Sequence, residues 1–179
     1  MKILFISPFF YPHSGGAEKY AEELFSKLII DHPDIEVDII CYNTNEAPET
    51  EAYKGMKIYR VTAFNLLKQQ FYLPNLFDLI KRLRLLKNNK YDYVGTQTRF
   101  FDATWWTWIY ARYVHAESFF IGHGTGFVSH SSALVRAIAK IVDLSIAKLA
   151  LKMYSKVIVI SKSTQDFFEN VLGVKDTQL

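Results

Sequence analysis

The feature that most restricts how this 179-residue chain can fold is an alternation. Short, nearly continuous apolar runs occur at 2–7, 35–41, 56–61, 91–97, 118–122 and 156–161. Between them lie longer stretches of helical period at 17–30, 75–87, 102–114, 133–154 and 164–172. Runs rich in β-branched and aromatic residues suit strands whose sheet is covered on both faces. Strand–helix alternation in turn calls for right-handed crossovers and parallel pairing. The expected fold is α/β, a doubly wound, mainly parallel sheet with helices on both faces, in a single domain over residues 1–179. One interval breaks the rhythm. Between 35–41 and 56–61 there is only the polar stretch "YNTNEAPETEAYKG", so those two strands are expected to be joined without a helix.

Composition removes several function classes. Cys41 is the sole cysteine, which excludes an internal disulfide, and five scattered histidines do not make a structural zinc pattern. No uncharged apolar run approaches the roughly 18–20 residues of a membrane span. The nearest candidate, 134–151, carries Arg136, Lys140, Asp143 and Lys148 and reads as a helix with a wet side. "MKILFIS" is too short, and too quickly followed by Pro8, to be a signal peptide, so the cytosol is the expected compartment. The net charge of +3 is unevenly placed. Lys81, Arg82, Arg84, Lys87 and Lys90 face only Asp78 within 76–90, a local balance of +4 (five minus one). Two readings stand: a solvated helix face, or attraction to an anionic membrane surface. Nucleic acid is not an expected partner, because no binding motif accompanies the charge.

In a doubly wound sheet, ligands sit beyond the carboxyl ends of the strands. After the first run comes "SPFFYPHSGGAEK". It is neither G-x-G-x-x-G nor a loop ending in G-K-[ST], so the dinucleotide and P-loop readings both fail. Gly15 and Gly16 nevertheless stand just before a helix, where backbone N–H groups can approach an anion or a sugar hydroxyl. The alternative is that Ser14 and the glycines only cap the helix, with Glu18 favouring its dipole. After the run at 91–97, Gln97 and Arg99 stand where side chains reach the cleft, while Trp105, Trp106 and Trp108 are expected to pack. After 118–122 comes "GHGTGFVSH". His123, flanked by glycines, is a candidate to hydrogen-bond a substrate hydroxyl or to stabilise developing charge. His123 and His130 have no acidic partner in a metal pattern, so no metal is expected. Ser161 and Ser163 read as a helix cap.

Taken in order, four segments resemble glycosyltransferase family 4, retaining enzymes of the two-domain GT-B fold. They are "MKILFIS…GGAEKYAEELFSKLI…IEVDIICYN", "KYDYVGTQ", "IGHGTGF" and "SKVIVISKSTQDFFENVLGV". The resemblance covers essentially the whole chain and implies that it is the acceptor-side, Rossmann-like half of such a fold. A second, nucleotide-sugar domain carrying a Lys/Arg pair and a Glu-x7-Glu motif is implied as the absent partner, and the isolated half is expected not to turn over. Carried over by position, Gly15 and Gly16 match the loop near donor diphosphate and acceptor. His123 matches the histidine near the transferred sugar, and Gly124 and Thr125 stand beside it. Gln97 replaces a histidine frequent in relatives, and Arg99 suits an anionic acceptor. The resemblance implies a nucleotide-diphosphate sugar as donor, a glycan or lipid-linked hydroxyl as acceptor, and no cofactor or metal. The basic segment 81–90 would suit a membrane-surface acceptor on the inner face of the membrane. A non-catalytic module binding a glycan, a lipid headgroup or a partner protein is the competing reading.

Overall fold

A computed structural model describes residues 1–66, 71–129, 131–175 and 177–178. The strands are β1 (Lys2–Ser7), β2 (Glu36–Asn43), β3 (Thr50–Tyr53), β4 (Met56–Asn65), β5 (Tyr72–Pro74), β6 (Tyr93–Thr96), β7 (Glu117–Gly122) and β8 (Lys156–Val159). The helices are α1 (Gly16–Asp31), α2 (Leu76–Leu86), α3 (Ala103–Val114), α4 (Ala133–Val142), α5 (Lys148–Leu151) and α6 (Lys162–Asn170). The sheet runs β3-β4-β2-β1-β6-β7-β8, with β5 paired to β4. β4, β2, β1, β6, β7 and β8 are parallel to their neighbours in that row, and only β3 and β5 run antiparallel to β4. This is the doubly wound, Rossmann-like arrangement expected from the alternation.

The apolar continuity of β1 follows from its central place. Ile3 and Phe5 enter one core with Ala21 and Phe25 of α1. Leu4 and Ile6 enter the other with Leu79 and Leu83 of α2 and Tyr110 and Ala111 of α3. Successive side chains of a strand point to opposite faces, so a strand covered twice must be apolar throughout. Each fully buried large side chain contributes about 1.5–3 kcal/mol. A third cluster around Phe120 joins α5, β8 and α6 through Leu151, Val157 and Phe168.

One difference from the sequence reading concerns the polar stretch. The parallel pair β2–β4 is indeed joined without a helix, but the connection contains β3, a polar edge strand. Tyr53 pairs with Met56 across Lys54 and Gly55, both at positive φ, a two-residue hairpin turn that glycine favours. β3 is illegible by apolar pattern because an edge strand needs no buried face.

A second difference is larger. The stretch 133–154 is not one continuous helix, and although Arg136 and Lys140 do keep a wet side, its acid does not. It is α4, a π-helical segment (Asp143–Ala147) and α5. Asp143 is wholly buried, whereas Leu134, Ile138, Ile141 and Leu149 are exposed, and no residue of α4 is buried. Among the described residues no helix is long and apolar enough to cross a membrane.

Candidate functional site

A cleft of about 450 Å³ opens at the carboxyl edge of β6 and β7. Its walls include Ala17, Gln97, Arg99, His123, Gly124 and Thr125, so five sequence-predicted residues meet there together with the first turn of α1. A larger groove, of about 600 Å³, lies at the opposite edge. Its inner polar groups satisfy one another: Tyr91 Oη and Asn89 Nδ2 both donate to Asp38, at 2.5 and 3.2 Å.

The centre of the cleft is a chain of hydrogen bonds across three strand ends. Ser7 Oγ donates to the Phe9 carbonyl at 2.8 Å, which leaves Oγ as the acceptor for Gln97 Nε2 at 3.4 Å. Gln97 Oε1 is thereby turned towards His123 Nε2, 3.0 Å away. An amide oxygen only accepts, so Nε2 carries the proton and Nδ1 keeps a lone pair. Burial holds the His123 imidazole below its ordinary value of 6.5, and the neutral ring is therefore the form at pH 7. Tyr20 of α1 meets this ring edge to face, with centroids 4.8 Å apart.

A histidine whose folded value is depressed adds stability above pH 6.5 that is lost as the pH falls through the folded value. His123 should titrate below 6.5 in an NMR pH series, and melting temperature should fall on acidification more steeply in the parent than in His123→Gln. A ring that titrates above 6.5 contradicts the assignment.

The two glycines play different parts. Gly15 is the N-cap of α1 with extended backbone, and no side chain caps this helix. A Cβ at Gly15 would collide with the Glu18 carboxylate, which folds back over it. A Cβ at Gly16 would meet nothing within 4 Å. A Cβ at Gly15 would require only the flexible end of Glu18 to move aside, and packing within the chain does not require glycine at Gly16. Ser14 is not the cap. Ser161, by contrast, does cap α6, accepting from the Thr164 N–H at 3.2 Å.

Arg99 lies in the cleft wall but is not a cation held out to solvent. It is 8% exposed, and its Nε meets Asp143 Oδ1 at 2.8 Å. Its Nη2 donates to the Gly126 carbonyl at 2.5 Å. A Cβ on Gly124 would sit 2.6 Å from Nη1, so the loop passes directly over the guanidinium. Burial pushes the Asp143 carboxyl above the ordinary aspartate range, against the pull of Arg99. The expected contact with an anionic acceptor meets a guanidinium already ion-paired, and its evident duty is to hold the loop that carries His123, Gly124 and Thr125.

Sequence reasoning missed Arg60. On β4 and 2% exposed, it donates to the Pro48 carbonyl at 2.7 Å, the Tyr11 carbonyl at 2.8 Å and Glu51 at 2.7 Å. It ties the glycine loop after β1 to the β3–β4 edge, where Tyr11 also stacks on Tyr53 at 3.8 Å. An arginine set between Tyr59 and Val61 in the run at 56–61 was the available signal. The three tryptophans are half-buried on α3, and Trp106 Nε1 donates to Asp102 at 3.1 Å. His130 lies outside the described residues. Among those that are described, no group of three histidine, cysteine or carboxylate side chains could hold a metal.

With this geometry in hand, comparison with known proteins decides the family. The model of Glycosyltransferase Family 4 matches residues 14–179. The chain belongs to glycosyltransferase family 4. This family 4 domain is 30% identical over 183 residues to an uncharacterized glycosyltransferase, MJ1069, of Methanocaldococcus jannaschii, covering 98% of this chain and 46% of that protein. Among solved structures it superposes on the sucrose-phosphate synthase tll1590 of Thermosynechococcus elongatus with a TM-score of 0.70 at 19% identity, covering 99% of this chain and 46% of that one. It also superposes on Anabaena Alr3699/HepE, solved in complex with UDP, with a TM-score of 0.57 at 18% identity, covering 98% and 42%. These likenesses establish the fold as a GT-B half. The family 4 domain spans just under half the length of the relatives it matches.

Proposed function

We propose that the chain forms the acceptor-side half of a retaining sugar transferase, which moves a sugar from a nucleotide-diphosphate donor to an acceptor hydroxyl at the β6–β7 cleft. The observation that carries this is the Ser7–Gln97–His123 relay beside the open N-terminus of α1. The family membership supports transfer chemistry, and the UDP found with HepE agrees with a nucleotide donor. His123, neutral and donating through Nε2 to Gln97, offers Nδ1 as an acceptor for a sugar hydroxyl. That role suits it better than stabilising charge as a cation. In this reading the N–H groups at the start of α1, which receive no side-chain cap hydrogen bond, would meet the negative charge that grows on a departing diphosphate, with the flexible Glu18 carboxylate that folds over Gly15 moving aside. Gly16 keeps that approach clear of side-chain atoms. In this reading a second, donor-binding domain completes the site, and the isolated chain binds without turning over.

The test joins this chain to a family 4 donor-binding domain and measures sugar transfer. His123→Ala and Gly16→Val should each lower kcat/KM by roughly 10²-fold, the scale of losing one oriented hydrogen-bonding group in a transition state. Unchanged activity in both variants would sink the site. Turnover by the 179-residue chain alone would sink the division of labour.

A further inference from the structure

The hydrogen-bond relay fixes one nitrogen of His123 and leaves the rest of its ring to be held from elsewhere. Gln97 Oε1 meets Nε2 at 3.0 Å, and a ring tethered by a single hydrogen bond can pivot about it. The loop that carries His123 offers no side chain on either side. A Cβ at Gly122 would sit 2.7 Å from the ring of the fully buried Phe168, and one at Gly124 2.6 Å from the ion-paired Arg99. Glycine at both places makes room for those neighbours and leaves the imidazole bare along its own loop. A second support comes from α1. Tyr20 meets the imidazole with ring centroids 4.8 Å apart and planes at 81°, an arrangement that aromatic pairs favour. Core packing does not account for Tyr20. α1 is seated on the sheet by Ala21 and Phe25, 0 and 2% exposed, and Phe25 meets Phe5 of β1 edge to face at 4.8 Å. Tyr20 itself is 36% exposed, and among the described residues nothing hydrogen-bonds its hydroxyl. The partner that its ring does meet is His123.

We propose that Tyr20 is a positioning residue, which holds the His123 imidazole from α1 while Gln97 holds it from the end of β6, and so fixes where Nδ1 stands relative to the start of α1. Two supports on different elements stop the pivot that either alone permits. Tyr20 follows Gly16 by four positions, so the two share a face of α1 and lie roughly 6 Å apart along its axis. The helix that presents its first N–H groups to a leaving diphosphate would therefore also set the ring that receives the acceptor hydroxyl. Attacking and leaving groups are then gauged against one rigid body, and small errors in such placement are costly to rate. This consequence for transfer rests on the transferase reading, while the contact between the two rings does not.

The first test needs only the 179-residue chain. In an NMR pH series His123 of the parent and of Tyr20→Phe should titrate together, below 6.5. In Tyr20→Ala water reaches the ring, so its titration should move up towards 6.5, and its ring protons should show added motion in relaxation. The Tyr20→Ala melt should stay within about 3 °C of the parent, as for an exposed side chain. In the chain joined to a family 4 donor-binding domain, Tyr20→Ala should lower kcat by roughly tenfold or more with KM values little changed, and Tyr20→Phe should keep the parent rate. A His123 ring that titrates and moves in Tyr20→Ala as it does in the parent would overturn the proposal. So would a raised acceptor KM with kcat intact, since Tyr20 would then be a stacking surface for the sugar, or a melt lowered by about 10 °C, which would make it a packing residue. If the joined parent transfers no sugar, the transferase reading fails by itself, and the ring measurements still decide whether Tyr20 holds His123.

Discussion

Replacing Asp143 by alanine is expected to destabilise the domain by about 3–5 kcal/mol, the penalty for leaving a buried charge without its partner. The pair is inside the protein, with side chains 7% and 0% exposed and Nε to Oδ1 at 2.8 Å. In Asp143→Ala the guanidinium would retain the Gly126 carbonyl and the faces of Phe100 and Phe167, at 4.8 and 5.1 Å, but no counter-charge. For a chain of this size the melting temperature should drop by roughly 10 °C. Asp143→Asn keeps one acceptor and should lose less. The double change Arg99→Met with Asp143→Leu should recover most of the stability, because removing both charges removes the unpaired one. Because Arg99 also anchors Gly126, Asp143→Ala should loosen the loop bearing His123, seen as faster amide exchange at Gly124 and Thr125. A melt within 2 °C of the parent would show that the pair is not the anchor described.

Arg60→Ala should have an effect of the same size, about 3–5 kcal/mol, by a different route. Here one buried cation joins three chain segments, so its loss leaves the Tyr11 and Pro48 carbonyls and Glu51 without their donor. Lysine should not rescue it. A single ammonium cannot span the positions that the two guanidinium nitrogens occupy, whereas the planar fork is built for such bridging. Arg60→Lys should therefore lie closer to alanine than to the parent in chemical denaturation. Since Tyr11 belongs to the loop leading to Gly15 and Gly16, both variants should also show changed amide shifts through that loop. Denaturation midpoints within error of the parent would contradict this reading of Arg60.

How much of this was legible beforehand differs by element. β1, β2, β4, β6, β7 and β8 follow from apolar runs, and α1, α2, α3 and α6 from periodicity, because a strand or helix covered by a core writes its period into its own residues. The cleft loops were legible too, since topology places them at the carboxyl edge whatever their side chains do. His123, Gln97, Gly124 and Thr125 do line one cleft. β3 was not legible, because an edge strand has little core contact to record. α4 was misleading in one respect: its apolar period promised a buried face, yet Leu134, Ile138 and Ile141 point outward, and while Arg136 and Lys140 are exposed as expected, Asp143 just beyond its end lies at 0% exposure.

What the sequence by itself determined is therefore the order of elements, the parallel sheet and the edge on which the cleft opens. Those depend on spacing within a few residues, which local chemistry dictates. Only the tertiary structure decided which charges go inside and which apolar groups stay out. Arg99 meets its carboxylate 44 positions along the chain, Arg60 its Tyr11 carbonyl 49 away, and Gln97 its serine 90 away. A charge is buried when a partner arrives to offset its lost hydration, and the arrival of a distant partner is a property of the folded chain rather than of any segment.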